Sequence, residues 1–131
     1  MNTTLFVLNL AAAVILLIAT LMTGKRRQRL LHIRVAVVTV VVLTLAIVQA
    51  DMYGRGFTFV DWELMVHLIF ASSSLLSLPL VIYSGNRLRS ENRWRRIHVR
   101  FVALFVFLTV MAVLTACYMF LHAEALPDTT I

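Results

Sequence analysis

Charge is scarce in this chain. Only 14% of its 131 residues are Asp, Glu, Lys or Arg, while 61% are hydrophobic. A water-soluble domain is typically about a quarter charged and about half apolar. With so few charges the chain cannot cover a surface that faces water, so it belongs in a bilayer. Acidic residues are scarcer still, at 6 against 12 Lys and Arg. Cysteine occurs once, as Cys117 inside an apolar run; no disulfide can form within one chain, and the plain reading of Cys117 is small core filler. The chain has no Gly-rich phosphate loop, no C-x-x-C, no G-x-S-x-G and no H-E-x-x-H. With those motifs missing, no enzymatic activity is expected.

What is abundant is uninterrupted apolar sequence. Four runs stand out: Leu5–Met22, Leu30–Ala50, Leu64–Tyr83 and Phe101–Leu121. Each is near the ~20 residues with which a helix crosses a hydrocarbon core of ~30 Å. The expected fold is an all-α integral membrane four-helix bundle, a single transmembrane domain over residues 1–131, with helices at about 5–23, 30–50, 62–84 and 97–121. "MNTTLF" has no side-chain charge, and the basic block "KRRQR" follows the first run. That order suits a reverse anchor and not a cleavable signal.

Basic charge is sided. Lys25, Arg26, Arg27, Arg29 and Arg34 follow the first run; Arg87, Arg89, Arg93, Arg95, Arg96 and Arg100 follow the third; of the 12, only Arg55 falls elsewhere. Asp51, Asp61, Glu63, Glu124 and Asp128 lie on the opposite side, with Glu91 alone among the arginines. Lys and Arg in short loops mark the cytoplasmic side, so both termini are expected outside, in a multi-pass protein of the cell's inner (cytoplasmic) membrane. Tyr53, Trp62 and Tyr118 near one boundary and Tyr83 and Trp94 near the other fit interfacial aromatic belts. A basic chain could suggest nucleic acid, but the charge sits in two juxtamembrane loops and no segment resembles a nucleic-acid fold. Anionic lipid headgroups are the expected partner of those loops.

Two stretches read almost alike, "RLLHIRVAVV" at Arg29–Val38 and "RRIHVRFVAL" at Arg95–Leu104. Each places a histidine at the cytoplasmic mouth of a run, so His32 and His98 belong to equivalent hairpins of the same orientation and to the same depth. At ~100° per residue, the face of His32 carries Ala36, Thr39, Leu43, Ala46 and Ala50, and that of His98 carries Val102, Phe105, Thr109, Ala112 and Ala116. The face of His67 carries Ala71, Ser74 and Leu78, and the first run offers Asn9, Ala13, Leu16 and Thr20. Small and weakly polar residues line membrane helix interfaces, so three histidines are expected to point inward. Arg29 and Arg95 share their histidines' faces, whereas Arg34 and Arg100 lie roughly opposite and can snorkel. Pro79 should bend the third helix by freeing the Leu75 carbonyl.

Two facing imidazoles flanked by guanidinium groups could hold a haem, with axial nitrogens from His32 and His98 and propionates on Arg29 and Arg95. The plainer alternative is that histidines at headgroup depth need no ligand. His67 lies inside its run, and intramembrane ionisable residues are functional candidates by default. Glu63 is four residues earlier, and Asp51, Met52, His122 and Glu124 fall at the same boundary. Glu63, His67 and His122 are therefore candidate metal ligands, with copper as one occupant; a proton site or a plain buried hydrogen bond are the alternatives for His67.

The order of features resembles a known family. A histidine opens the second helix after a basic loop, "YGRGF" follows, then "HLIFASSSLLSLPLV", then "RWRRIHVRF" and "TVMAVLTACYMFL". This resembles the YozB/CtaM-type small four-helix membrane proteins over roughly Lys25 to Leu121. The family histidines fall on His32, His67 and His98. Relatives often carry Lys or Arg directly after the first and third; Ile33 and Val99 stand there here, and His122 matches no family position. The resemblance implies an accessory role in building a haem-copper terminal oxidase, with haem b or copper handled by the histidines and a respiratory oxidase or other membrane-complex subunits as partners. Two other functions stay open: a small b-type cytochrome, with His32 and His98 on one haem and His67 and His122 on another, and a structural subunit with no cofactor.

Overall fold

The computed structural model describes residues 3–127; Asp128 lies outside them. Four helices dominate: α1 (Thr3–Lys25), α2 (Arg29–Gly54), α3 (Asp61–Ser90) and α4 (Arg95–Leu121). All four are long and apolar enough to cross a membrane. Two-residue strands, β1 (Phe57–Thr58) and β2 (Glu124–Ala125), and a short 3-10 turn, Asn92–Trp94, complete the described elements. The helices overrun the apolar runs because polar residues at their ends keep helical hydrogen bonding: α2 continues to Gly54 and α3 to Ser90. Pro79 lies inside α3 and does not end it.

The chain divides after Phe57 into two compact units. In the first, α1 packs along α2; in the second, α3 packs along α4. Each is an antiparallel helical hairpin. The first reverses tightly. Arg27 adopts a left-handed φ of 58°, and the Gln28 N–H donates to the Thr23 carbonyl at 3.1 Å while the Arg27 N–H donates to Gly24 at 3.2 Å. That pair of bonds is a Schellman closure, with arginine where glycine is usual. The second hairpin turns through Glu91 and the 3-10 turn, where Tyr83 and Trp94 meet edge to face at 5.8 Å. The Arg87 guanidinium carbon lies 5.6 Å from the Tyr83 ring centre and 5.7 Å from that of Trp94.

Burial runs opposite to that of a water-soluble protein. The buried residues include Ala13, Thr39, Ala46, Ser74, Ser77 and Ser84, while Leu76 and Leu121 are 76% and 81% exposed. Between helices in lipid, small residues permit close approach and weakly polar ones supply hydrogen bonds, while large apolar side chains face the acyl chains. The expected inward faces of α1 to α4 are borne out at Ala13, Thr39, Ala46, Ser74 and Phe105, all buried.

Candidate functional site

Each hairpin is joined by a seam of polar contacts, and the histidines belong to these seams. In the first unit, Thr20 and Thr39 hydroxyls meet at 2.7 Å. Thr39 Oγ1 also contacts the carbonyls of Val35 and Leu16, at 2.7 and 3.2 Å. Farther from the loop, Asn9 Nδ2 donates to Gln49 Oε1 at 2.9 Å, and Phe6 stacks on Tyr53 at 5.2 Å. In the second unit, Ser74 and Thr109 hydroxyls meet at 2.7 Å, and Phe59 meets Phe120 edge to face at 5.1 Å.

His32 sits nearest the first loop. Its Nδ1 lies 2.9 Å from the Thr20 carbonyl oxygen. A carbonyl only accepts, so Nδ1 carries the proton. Thr23 Oγ1 stands 3.3 Å from the same nitrogen; its own hydroxyl is directed to the carbonyls of Ala19 and Thr20, so there too the imidazole donates. His67 repeats this logic deeper in the second hairpin. Its Nδ1 donates to the Ala112 carbonyl at 3.0 Å and to Thr115 Oγ1 at 3.2 Å, and Thr115 donates in turn to Met111 and Ala112. His98 Nδ1 lies 2.9 Å from Ser84 Oγ, and Ser84 donates onward to the Val81 carbonyl. The carbonyls of Thr20 and Ala112 thus require a proton on Nδ1 of His32 and His67, whereas the Ser84 hydroxyl can either accept from His98 Nδ1 or donate to it.

Sequence reasoning missed what lies under two of these rings. A methyl group at Gly24 would stand 3.0 Å from His32 Cε1 and 3.2 Å from its Nδ1. A methyl group at Gly85 would stand 3.2 Å from His98 Cε1. The two glycines leave room for the rings, and a hydroxyl residue precedes each, as Thr23-Gly24 and Ser84-Gly85. The signal was present in the sequence, but Gly24 precedes His32 by eight residues and Gly85 precedes His98 by thirteen. The longer second turn hides the correspondence.

The expected trio of Glu63, His67 and His122 is only partly assembled. Glu63 Oε1 lies 3.1 Å from His122 Nδ1. Glu63 is buried and its Oε2 has no hydrogen-bond partner among the described residues. His67 makes its bonds to Ala112 and Thr115 instead, and the described residues contain no group of three His, Cys, Asp or Glu side chains able to hold a metal ion. Depth explains the split: His67 lies one turn further along α3 and meets Ala112 and Thr115 of α4, while Glu63, in the first turn, meets His122 at the C-cap of α4. Asp51, from the same expected boundary, pairs with Arg55 at 2.8 Å. Arg29 and Arg95 open α2 and α4 and are exposed, as are Arg34 and Arg100.

No family model, curated protein or solved structure matches this chain. Its site is therefore read from its own chemistry. Neutral imidazole with Nδ1–H bonded to a carbonyl or hydroxyl is the usual condition of a metal-ligating histidine, because that bond fixes the ring and raises the basicity of the other nitrogen. Such nitrogens suit iron, copper or zinc.

Proposed function

We propose that this chain is an inner-membrane accessory factor in the building of a haem-copper terminal oxidase, and that it holds haem or a copper ion in transit on imidazole Nε2 atoms. The observation that carries this reading is that Nδ1 of His32, His67 and His98 is each anchored on a neighbouring helix, on a backbone carbonyl for His32 and His67 and on a hydroxyl for His98. An interfacial histidine with no ligand needs no such anchoring. In this reading the helices form a transmembrane bundle, the arginine-rich loops face the cytoplasm and both termini face outward, supported by the sidedness of Lys and Arg. The donor set fits either occupant: imidazole nitrogen binds haem iron and copper alike. Haem would supply a redox iron, and an arginine beside a ligating histidine, Arg29 near His32 or Arg95 near His98, would suit its carboxylates. The chain's own part is to fix the rings, keep Nε2 deprotonated, and exclude water from His67.

The test is genetic. In a strain lacking this protein, the wild-type gene should restore oxidase activity and membrane haem content. His67→Leu should insert normally, since its helix becomes more apolar, yet fail to restore either. Full restoration by His67→Leu would reduce His67 to a helix-joining hydrogen bond and remove the main support for the reading.

A further inference from the structure

Two seats of the same construction stand at the loop ends of the two hairpins. In each, a glycine on the first helix leaves space for the ring of a histidine on the second: Gly24 for His32, Gly85 for His98. In each, the residue before the glycine carries a hydroxyl within 3.3 or 2.9 Å of the histidine's Nδ1. The hydroxyls are not idle donors, because both give their protons to carbonyls of their own helix. With their protons so directed, both oxygens are open to accept from the imidazole. Ser84 is fully buried, with 0% exposure, so no water competes for that oxygen.

We infer that Gly24 and Gly85, with the Thr20 carbonyl and the Ser84 hydroxyl, are positioning elements that hold His32 and His98 in the Nδ1–H form and so make Nε2 the ligating atom. In water a free histidine side chain favours the opposite form, with the proton on Nε2, which cannot ligate through that nitrogen. The seat therefore does chemical selection as well as packing. His32 leans on a backbone carbonyl at 2.9 Å, which no side-chain substitution removes, with Thr23 Oγ1 a longer second acceptor at 3.3 Å. His98 Nδ1 stands 2.9 Å from the Ser84 hydroxyl, a contact that a single substitution deletes. The ligand expected on Nε2, haem iron or a copper ion, rests on the function proposed above; the tautomer does not.

The experiment separates the two. The full chain, with 15N-labelled histidine, is purified in mild detergent without added haem or metal. Imidazole nitrogens are read by NMR at pH about 8, above the ordinary histidine pKa of about 6.5. Both His32 and His98 are expected as Nδ1–H. Ser84→Ala should move His98 toward Nε2–H and leave His32 unchanged, while Thr23→Val should leave His32 as Nδ1–H because the Thr20 carbonyl remains. Hemin and Cu(I) are then titrated separately. Ser84→Ala and Gly85→Ala should weaken whichever probe the wild type binds by about ten- to a hundredfold, the usual effect of losing a ligand's supporting contact. Should Gly85→Ala or Gly24→Ala fail to fold, Ser84→Ala, which adds no bulk, still decides. Wild-type His32 or His98 found as Nε2–H would overturn the inference. So would a His98 tautomer indifferent to Ser84→Ala, or unchanged affinity in both second-seat variants. Correct tautomers in a wild type that binds neither hemin nor copper would leave the seats standing and refute the proposed function.

Discussion

A buried carboxylate with one oxygen paired and the other unpartnered among the described residues is the most exposed weakness in the second hairpin. Glu63 Oε1 lies 3.1 Å from His122 Nδ1, while Oε2 makes no hydrogen bond among the described residues. Burying a polar group without a partner costs about 1–3 kcal/mol. His122→Ala, which strips the remaining partner, should therefore destabilise the protein by about 1–3 kcal/mol, read as a lower unfolding midpoint in detergent. The double replacement Glu63→Leu with His122→Leu should recover most of that loss, since removing both polar partners is far cheaper than removing one. A double variant as unstable as His122→Ala would show that the pair does more than satisfy itself. The sequence grouped His122 with Glu63 by their shared boundary, and the two do meet, but the direct pairing without His67 was not legible. The helical wheel compares residues within one helix, whereas this contact joins the first turn of α3 to the cap of α4.

At the scale of elements, the hairpins are held by hydroxyl and imidazole contacts whose worth in lipid is modest. Coupling energies for such membrane hydrogen bonds average about 0.6 kcal/mol. A double-mutant cycle with Thr20→Ala and Thr39→Ala, whose hydroxyls meet at 2.7 Å, should return about that value, and a coupling near zero would remove this rung from the seam. The tight turn offers an improvement. Arg27 holds φ at 58°, a conformation that costs a non-glycine residue about 1–2 kcal/mol. Arg27→Gly should raise stability by up to about 1 kcal/mol, and a lower unfolding midpoint for this variant would argue that the arginine side chain does something the backbone account omits. The helices themselves were legible, because an apolar run of bilayer length leaves few alternatives. Their ends were not, because residues such as Arg87 and Arg89 continue α3 after its apolar pattern has stopped. The histidine faces were legible from small residues at helical spacing. Gly24 and Gly85 were not, because a glycine's meaning here lies in the ring packed across from it.

For the whole molecule, sidedness is the first claim to test. A reporter active only outside the cytoplasm, fused after Ile131, should give full signal, because all Lys and Arg but Arg55 fall in or beside the loops after the first and third apolar runs, and such loops mark the cytoplasmic side. Silence from that reporter, with a cytoplasmic control active at the same position, would reverse the orientation and put His32 and His98 at the outer face. The central claim is that the imidazoles of this chain carry a cofactor. It is tested most directly by the absorption spectrum and copper content, per chain, of the protein purified in mild detergent after haem-supplemented expression. The account predicts a Soret band, or stoichiometric copper, in the wild type and its loss when His32, His67 and His98 are replaced together by Ala. A wild type with neither chromophore nor copper, or a triple variant that keeps what the wild type binds, would contradict it.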